Sequence, residues 1–472
     1  MKLQQYYLAC LAHASYLIAD DKTKVAAIVD PQRDVDQYLQ DAEAGGYQIK
    51  FVFLTHFHAD FIAGHIELRD RTGAQIYLGA RAEAEYEFVH ARDGATVEFG
   101  DVRLQILETP GHTPEGISIL VFDLAKDAQQ PQAVLTGDTL FIGDVGRPDL
   151  MASIGITAEE LAGELYDSLH NKLLTLPDET LVYPAHGAGS MCGKNLSKDT
   201  VSTIGTQRKY NYALAPMTKM EFIRLATTDL PEAPDYFGYD AMLNRKERGT
   251  LEENLTKELK PLSVDEVIAL QSKGAQVVDV REAADYEGAH LRNSLNIGLA
   301  GKYATWAGTM LDRTNPIVII AEHGKEEEAA MRLGRIGLDL IAGYLSGGLG
   351  ALEKRPELIA RTERITAATL AEQLASDTPP VVLDVRTEKE RESGAIDGSL
   401  HIPVNHLRSR LAEVSADRPV VVHCAGGYRS AIACGVLEQA GRTNMIDLVG
   451  GYGAWSATSS SCSVGSGSSC GK

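Results

Sequence analysis

Over roughly the first 250 residues, short apolar runs alternate with amphipathic stretches. The runs KFVFLTH (50–56), QIYLGA (75–80), VRLQILE (102–108), ISILVFD (117–123), AVLTGD (133–138) and TLVYPAH (180–186) predict strands. Most of them end in a polar or glycine-bearing turn, which is where an α/β protein keeps its site residues. The stretch 157–174 has apolar positions at helical spacing and stops before Pro177, so it predicts a helix. The opening segment, MKLQQYYLACLAHASYLIADD, has a superficial signal-peptide look. Gln4, Gln5 and His13 interrupt it and no clear small-residue cleavage site follows, so we expect the first strand of a β-hairpin in a cytoplasmic protein.

Past about residue 255 the texture changes. Ser263 and Glu266 form a capping box at the start of a helix, followed by VVDVRE, a long loop, PIVIIAEHGKEEE and LSGGLGAL. The same succession returns as ITAATLAEQLAS, VVLDVRTE, RPVVVHCAGGYRS and LVGGYGAW. Asp384 lies 105 residues after Asp279, Pro419 lies 103 after Pro316, and Gly450 lies 103 after Gly347. A period this long is no solenoid; it is one domain present twice.

With 472 residues, about three domains are expected. We place them at 1–255, 256–360 and 361–458, with a flexible Ser/Gly/Cys tail at 459–472 whose composition turns at Ser456. The 45 Lys and Arg against 65 Asp and Glu give a formal charge of −20, which offers no footprint for nucleic acid or anionic lipid. No apolar run approaches a membrane span. Six cysteines are too few for a disulfide scaffold and match no zinc ribbon, so thiol chemistry is the expectation for any that act. Cys462 and Cys470 in the tail read either as labile thiols or as incidental residues.

Four strand ends carry metal-ligand chemistry: Thr55-His56-Phe57-His58-Ala59-Asp60, Gly111-His112-Thr113-Pro114, Thr136-Gly137-Asp138 and Pro184-Ala185-His186-Gly187. One such histidine alone is usually a satisfied polar residue. Four sets at strand ends can converge at one sheet edge, and imidazole with carboxylate suits zinc, iron or manganese. The pattern resembles the metallo-β-lactamase fold, an αββα sandwich, over roughly residues 1–250. In that family a further histidine helps hold a second metal, where this chain has Phe61, so a mononuclear site is expected. Within the superfamily the chain resembles persulfide dioxygenases. That resemblance implies one Fe(II) per chain, with zinc as the alternative, held by His56, His112 and Asp138. It also implies that His58, Asp60 and His186 orient ligands and bound water, and that Arg147 lies near the substrate. Cys192, in the glycine-rich loop after His186, reads as a persulfide contact or as an inert cysteine.

In the last domain, Cys424 follows an apolar strand and opens the six-residue loop Cys424-Ala425-Gly426-Gly427-Tyr428-Arg429 before a helix. Backbone N–H groups curled inward, the helix N-terminus and Arg429 all favour negative charge on sulfur, which marks Cys424 as the nucleophile. Ala425, Gly426, Gly427 and Tyr428 then form the substrate-binding nest. Cys434, in the helix, is the better candidate for a buried structural thiol. The loop with LDVR and LVGGYGAW resembles a rhodanese sulfurtransferase domain, a parallel-sheet α/β fold, over about 95 residues. Phosphatases of similar architecture use a loop one residue longer. The first copy has Ala321 at the cysteine position and EHGKEEE beyond it, so it is expected to keep the rhodanese frame without the sulfur chemistry.

Together the resemblances imply a persulfide dioxygenase–rhodanese fusion. A small-molecule persulfide and O2 would give sulfite and thiol at the metal, and Cys424 would move sulfur between persulfide, sulfite and thiosulfate. The partners are small molecules, with no nucleic acid and no membrane; a homo-oligomer is left open. The alternatives are a zinc thioester hydrolase of the glyoxalase II type fused to a rhodanese, and a non-enzymatic persulfide carrier.

Overall fold

Alternation along the strands sorts the apolar residues of the first 250 positions into three layers. In strand Ile117–Asp123, Ile117, Ile119 and Val121 face one core while Leu120 and Phe122 face another. In strand His13–Asp20, Tyr16 and Ile18 join the first of those cores and Leu17 and Ala19 a third. The central core is thus sealed between two sheets. The outer cores are capped by helices Asp36–Gly45 on one side, through Tyr38 and Ala42, and Ala158–Asn171 on the other, through Leu165 and Leu169. This is the αββα sandwich expected from the sequence. The computed structural model describes residues 1–150 and 155–464.

Each sheet of the sandwich has six strands. One runs in chain order from Lys2–Leu8 to Val89–Ala91, and the other from Thr96–Phe99 to Ser202–Thr203. The opening segment forms a hairpin, with Lys2–Leu8 antiparallel to His13–Asp20. The predicted helix is Ala158–Asn171, held at its start by a Thr157/Glu160 capping box. By contacts the chain divides into two units, Met1–Asn254 with Leu333–Asp339, and the remainder from Leu255 onward.

The remainder holds the repeated domain. The first copy has a five-stranded sheet in the order Pro261–Leu262, Ile341–Leu345, Ile317–Ile320, Gln276–Asp279, Leu295–Asn296. The second repeats it as Glu363–Ile365, Met445–Leu448, Val420–His423, Val381–Asp384, Leu400–His401. Every pairing in both sheets is parallel. Equivalent residues build both cores, with Val277, Val318 and Leu345 in one matching Val382, Val421 and Leu448 in the other.

A glycine pair closes each copy on its strand-end loop. Gly348 and Gly451 have φ of 55° and 54°, and a Cβ would stand 2.8 Å from the Ala321 carbonyl oxygen and 2.4 Å from that of Cys424. Gly451→Ala therefore meets both strain and a backbone clash, and is expected to destabilise the last domain by about 1–3 kcal/mol. Gly426→Ala, whose Cβ meets nothing, should leave the melting temperature within a degree or two of wild type (roughly a few tenths of a kcal/mol). Thermal melting of both variants checks the contrast.

The tail departs from expectation. The final helix is Gly451–Val464, so the chain from Ser456 to Val464 is helical rather than tether. Ala454 and Trp455 pack its first turns on the last domain's core, and the Ala and Ser residues that follow are compatible with helix. Positions 465–472 lie outside the described residues, as does the side chain of Cys462.

Candidate functional site

Four strand ends converge as the sequence suggests. The strand Gln48–Phe53 leads to His56, His58 and Asp60, Val102–Glu108 to His112, Ala133–Gly137 to Asp138, and Leu181–Pro184 to His186. One ligand atom each from His56, His112 and Asp138 lies within 4.8 Å of the others, and all three residues are buried. His112 Nε2 stands 3.4 Å and His56 Nε2 3.8 Å from Asp138 Oδ2. The close approach is made possible by Gly137, at φ 51°, where a Cβ would lie 2.6 Å from the Thr55 hydroxyl.

The histidine tautomers follow from their other nitrogens. His112 Nδ1 donates to the Arg147 carbonyl at 2.8 Å, which leaves the Nε2 lone pair toward Asp138. The Thr55 hydroxyl donates to Asp30 Oδ2 at 2.8 Å, so at 3.0 Å it accepts from His56 Nδ1, with the same result. Burial pushes His112 down to about 4 and His56 well below the ordinary imidazole range, so both are neutral ligands. Burial, and then the neighbouring Asp60, push the Asp138 carboxyl up. His56 Nε2 and both Asp138 oxygens are buried without a hydrogen-bond partner. Two neutral imidazoles aimed at a carboxylate that no cation among the described residues neutralises form a donor set that fits a divalent metal.

The other histidines form a neighbouring cluster. His58 Nε2 lies 3.1 Å from Asp30 Oδ1, and His186 stands 3.5 Å from Asp60 and 3.7 Å from Asp138. Phe61 is fully buried, with its ring centroid 4.1 Å from that of His13 and 4.4 Å from that of His58. Cys192 is buried beside Asp60, His186 and Asp138, and burial followed by the two carboxyls raises its thiol.

In the last domain, Cys424 is buried at the end of strand Val420–His423. Its Sγ accepts from the Gly427 N–H at 3.1 Å and lies 3.7 Å from the Ser430 hydroxyl. The helix Tyr428–Gln439 starts directly behind the loop. Tyr452 N–H donates to the Cys424 carbonyl at 2.8 Å and Gly453 N–H to that of Ala425 at 3.0 Å, so the LVGGYGAW segment clamps the loop. Cys434 is fully buried, and burial raises its thiol. In the first copy Ala321 is buried at the matching strand end, with no thiol to offer.

The description Metallo-beta-lactamase superfamily matches residues 8–186, and Rhodanese-like domain matches 263–354 and 366–458. The persulfide dioxygenase ETHE1, mitochondrial, of Bos taurus is 30% identical over 215 residues, which cover 45% of this chain and 74% of that protein. The chain belongs to the metallo-beta-lactamase superfamily. Two rhodanese-like domains follow its metallo-β-lactamase domain. Another relative, the hydroxyacylglutathione hydrolase of Bradyrhizobium sp. (strain ORS 278), is 30% identical over 241 residues, 50% of this chain and 83% of that one. The crystal structure of a metallo-beta-lactamase from Staphylococcus aureus subsp. aureus COL is similar at a TM-score of 0.65 and 30% identity, over 73% of this chain and 98% of that chain.

Three expected side chains have other employment. Arg147, in the metallo-β-lactamase domain, is buried; its guanidinium makes 2.7 Å bonds to both oxygens of Asp149 and donates to the Met191 and Pro231 carbonyls. It offers no free cation to substrate and serves the site through its own carbonyl on His112. Tyr428 turns its hydroxyl to the Gly298 carbonyl of the first rhodanese-like copy at 2.8 Å, so its side chain anchors the loop rather than lining it. Arg429 is held in a two-pronged pair by Glu390 at 2.6 and 2.7 Å, and it also interacts with Cys424.

Four residues of the metallo-β-lactamase domain escape a reading of the sequence. His13 joins His58 and His186 because its strand bridges to His186, a long-range pairing with no local signature. Asp30 accepts from both the N–H and the hydroxyl of Thr55; its one signal is an acid ending the apolar run VAAIV, as Asp138 ends another. Glu115 accepts from Phe57 N–H at 3.0 Å, and Asn244 donates to the His58 and Phe61 carbonyls at 2.8 Å each. Asp30→Asn, which disturbs the chain Asp30–Thr55–His56, is expected to weaken metal affinity about 10- to 100-fold with the fold retained. Chelator competition alongside circular dichroism measures both.

Proposed function

We propose that the metallo-β-lactamase domain oxidises a low-molecular-weight persulfide, such as glutathione persulfide, with O2 to sulfite and the free thiol, using one Fe(II). The observation that carries this is the buried His56–His112–Asp138 triad, with Phe61, at the motif position where the resemblance puts a histidine in two-metal members, lying beside His13 and His58. Two histidines and one carboxylate leave coordination positions open, as O2-dependent iron chemistry requires. Fe(II) bound there would supply the electrons and open positions that activating O2 toward a sulfur anion demands. The oxidation balances: the terminal sulfur loses four electrons, O2 takes four, and water provides the third oxygen of sulfite.

The residues of the chain set the stage for that chemistry. Arg147 carbonyl and Thr55 fix the two imidazole tautomers, while Asn244 and Glu115 hold the loop that carries His56. Burial keeps bulk water from competing with a sulfur substrate. His186 and Asp60, 3.5 Å apart, are placed to hold a proton or a water beside Asp138. In the last rhodanese-like domain Cys424 would carry sulfur as a persulfide, exchanging it with sulfite and thiosulfate.

The hydroxyacylglutathione hydrolase relative favours thioester hydrolysis as the second reading, and metal content separates the two. One iron per chain with O2-dependent sulfite formation supports the dioxygenase. Two metals per chain with thioester cleavage and no O2 uptake would overturn it.

A further inference from the structure

The segment Leu333–Asp339 lies inside the first rhodanese-like match, 263–354, yet by contacts it belongs with Met1–Asn254. It begins in the last turn of helix Glu326–Gly334, and its apolar residues Leu333, Ile336 and Leu338 are buried. Two crossed ion pairs join it to the loop that follows Asp30. Arg33 sends two prongs to Asp339, at 2.6 and 2.9 Å, and Arg335 sends two to Asp34, at 2.7 and 2.6 Å. Arg33 is fully buried and also donates to Glu67 at 3.1 Å and to the carbonyls of Gly334 and Gly249, so every N–H of its guanidinium has an acceptor. Such a pair holds one geometry, because either partner left alone would be an uncompensated charge in the interior.

The loops that set the first metal ligand both end on this segment. Arg33 and Asp34 follow Asp30, whose carboxylate accepts from the N–H and hydroxyl of Thr55 and so fixes the His56 tautomer. At the far end of the loop that carries His56 and His58, the Ile62 N–H donates to the Arg335 carbonyl at 2.7 Å. The two loops are tied to each other by the bridge between Gln32 and Ala63 and by the Gly64 N–H, which donates to the Pro31 carbonyl at 2.8 Å. The Arg335 guanidinium also lies 3.7 Å from Cys10 Sγ, on the turn that leads into strand His13–Asp20.

We propose that Arg335 and Asp339 are positioning residues of the metal site: the segment they belong to fixes the Asp30 loop and the His56 loop against each other. The cysteine-less copy is then required for the chemistry at the metal, through Leu333–Asp339, and not for sulfur transfer at Cys424. The proposal rests on the reading of His56, His112 and Asp138 as the ligands of a persulfide-oxidising metal. Neither Arg335 nor Asp339 touches the metal ligands; they act through Asp34, Arg33 and the Ile62 N–H.

The test uses the full chain freed of metal and titrated with cobalt(II), whose visible absorption reports ligand geometry, with affinity taken from chelator competition. Arg335→Ala and Asp339→Asn should each weaken cobalt binding about 10-fold and alter the absorption bands. Asp34→Ala combined with Arg335→Ala should cost no more than the worse single change, since both break one pair. Sulfur transfer from thiosulfate to cyanide should keep its wild-type rate. Arg281→Ala is the control: it breaks a buried pair with Asp279 in the first copy that includes no residue of the segment, and it should leave cobalt affinity and spectrum unchanged. Folded Arg335→Ala and Asp339→Asn proteins with wild-type affinity and spectrum overturn the proposal, as does an Arg281→Ala protein that loses metal equally. If Arg335→Ala does not fold, Arg335→Lys, which keeps the cation and gives up the two-pronged fit, takes its place under the same criteria. Cobalt changes as expected with no oxygen uptake by iron-loaded wild type would overturn the dioxygenase reading and leave the positioning role standing.

Discussion

His112→Ala is expected to abolish metal-dependent oxygen uptake and to leave sulfur transfer at Cys424 intact. The substitution removes one of three ligand atoms gathered within 4.8 Å and frees the Arg147 carbonyl that fixes its tautomer. Two remaining ligands hold a divalent ion weakly, so metal content should fall well below one per chain. Oxygen uptake should drop on the order of 10³-fold or more, the scale of losing an essential group in a cooperating set. Cys424 is set by Gly427, Ser430 and Tyr452, none of which belongs to the metal-bearing domain. Metal analysis, an oxygen electrode and a thiosulfate–cyanide assay on the same preparation make the comparison.

Cys424→Ser has the converse outcome. A serine hydroxyl keeps the loop's shape but forms no persulfide, so sulfur transfer should fall on the order of 10³-fold or more. Mass spectrometry after thiosulfate treatment should show the sulfur adduct in wild type and none on the variant peptide, while oxygen uptake stays at the wild-type rate. Loss of both activities in a folded variant would contradict the assignment of two separate sites.

The strand ends carrying His56, His112, Asp138 and His186 are legible in the sequence because each follows an apolar run whose period marks it as a strand. The repeated domain is legible through matched spacings, and both sheets show the same strand order. What stays hidden depends on where the chain returns. Arg147 looks available in sequence, yet the Pro231 carbonyl, 84 residues on, and Asp149 consume its guanidinium. His13 reaches the cluster only because its strand bridges to His186. Among the described residues no helix is long and apolar enough to cross a membrane.

Persulfide oxidation at the His56–His112–Asp138 site is tested by oxygen consumption of protein loaded anaerobically with iron, given glutathione persulfide, with sulfite and thiosulfate quantified together. One O2 should be consumed per sulfur oxidised to sulfite, with part of that sulfite recovered as thiosulfate only while Cys424 is present. No oxygen uptake at one iron per chain, with glutathione persulfide and with other persulfides alike, would contradict the dioxygenase assignment.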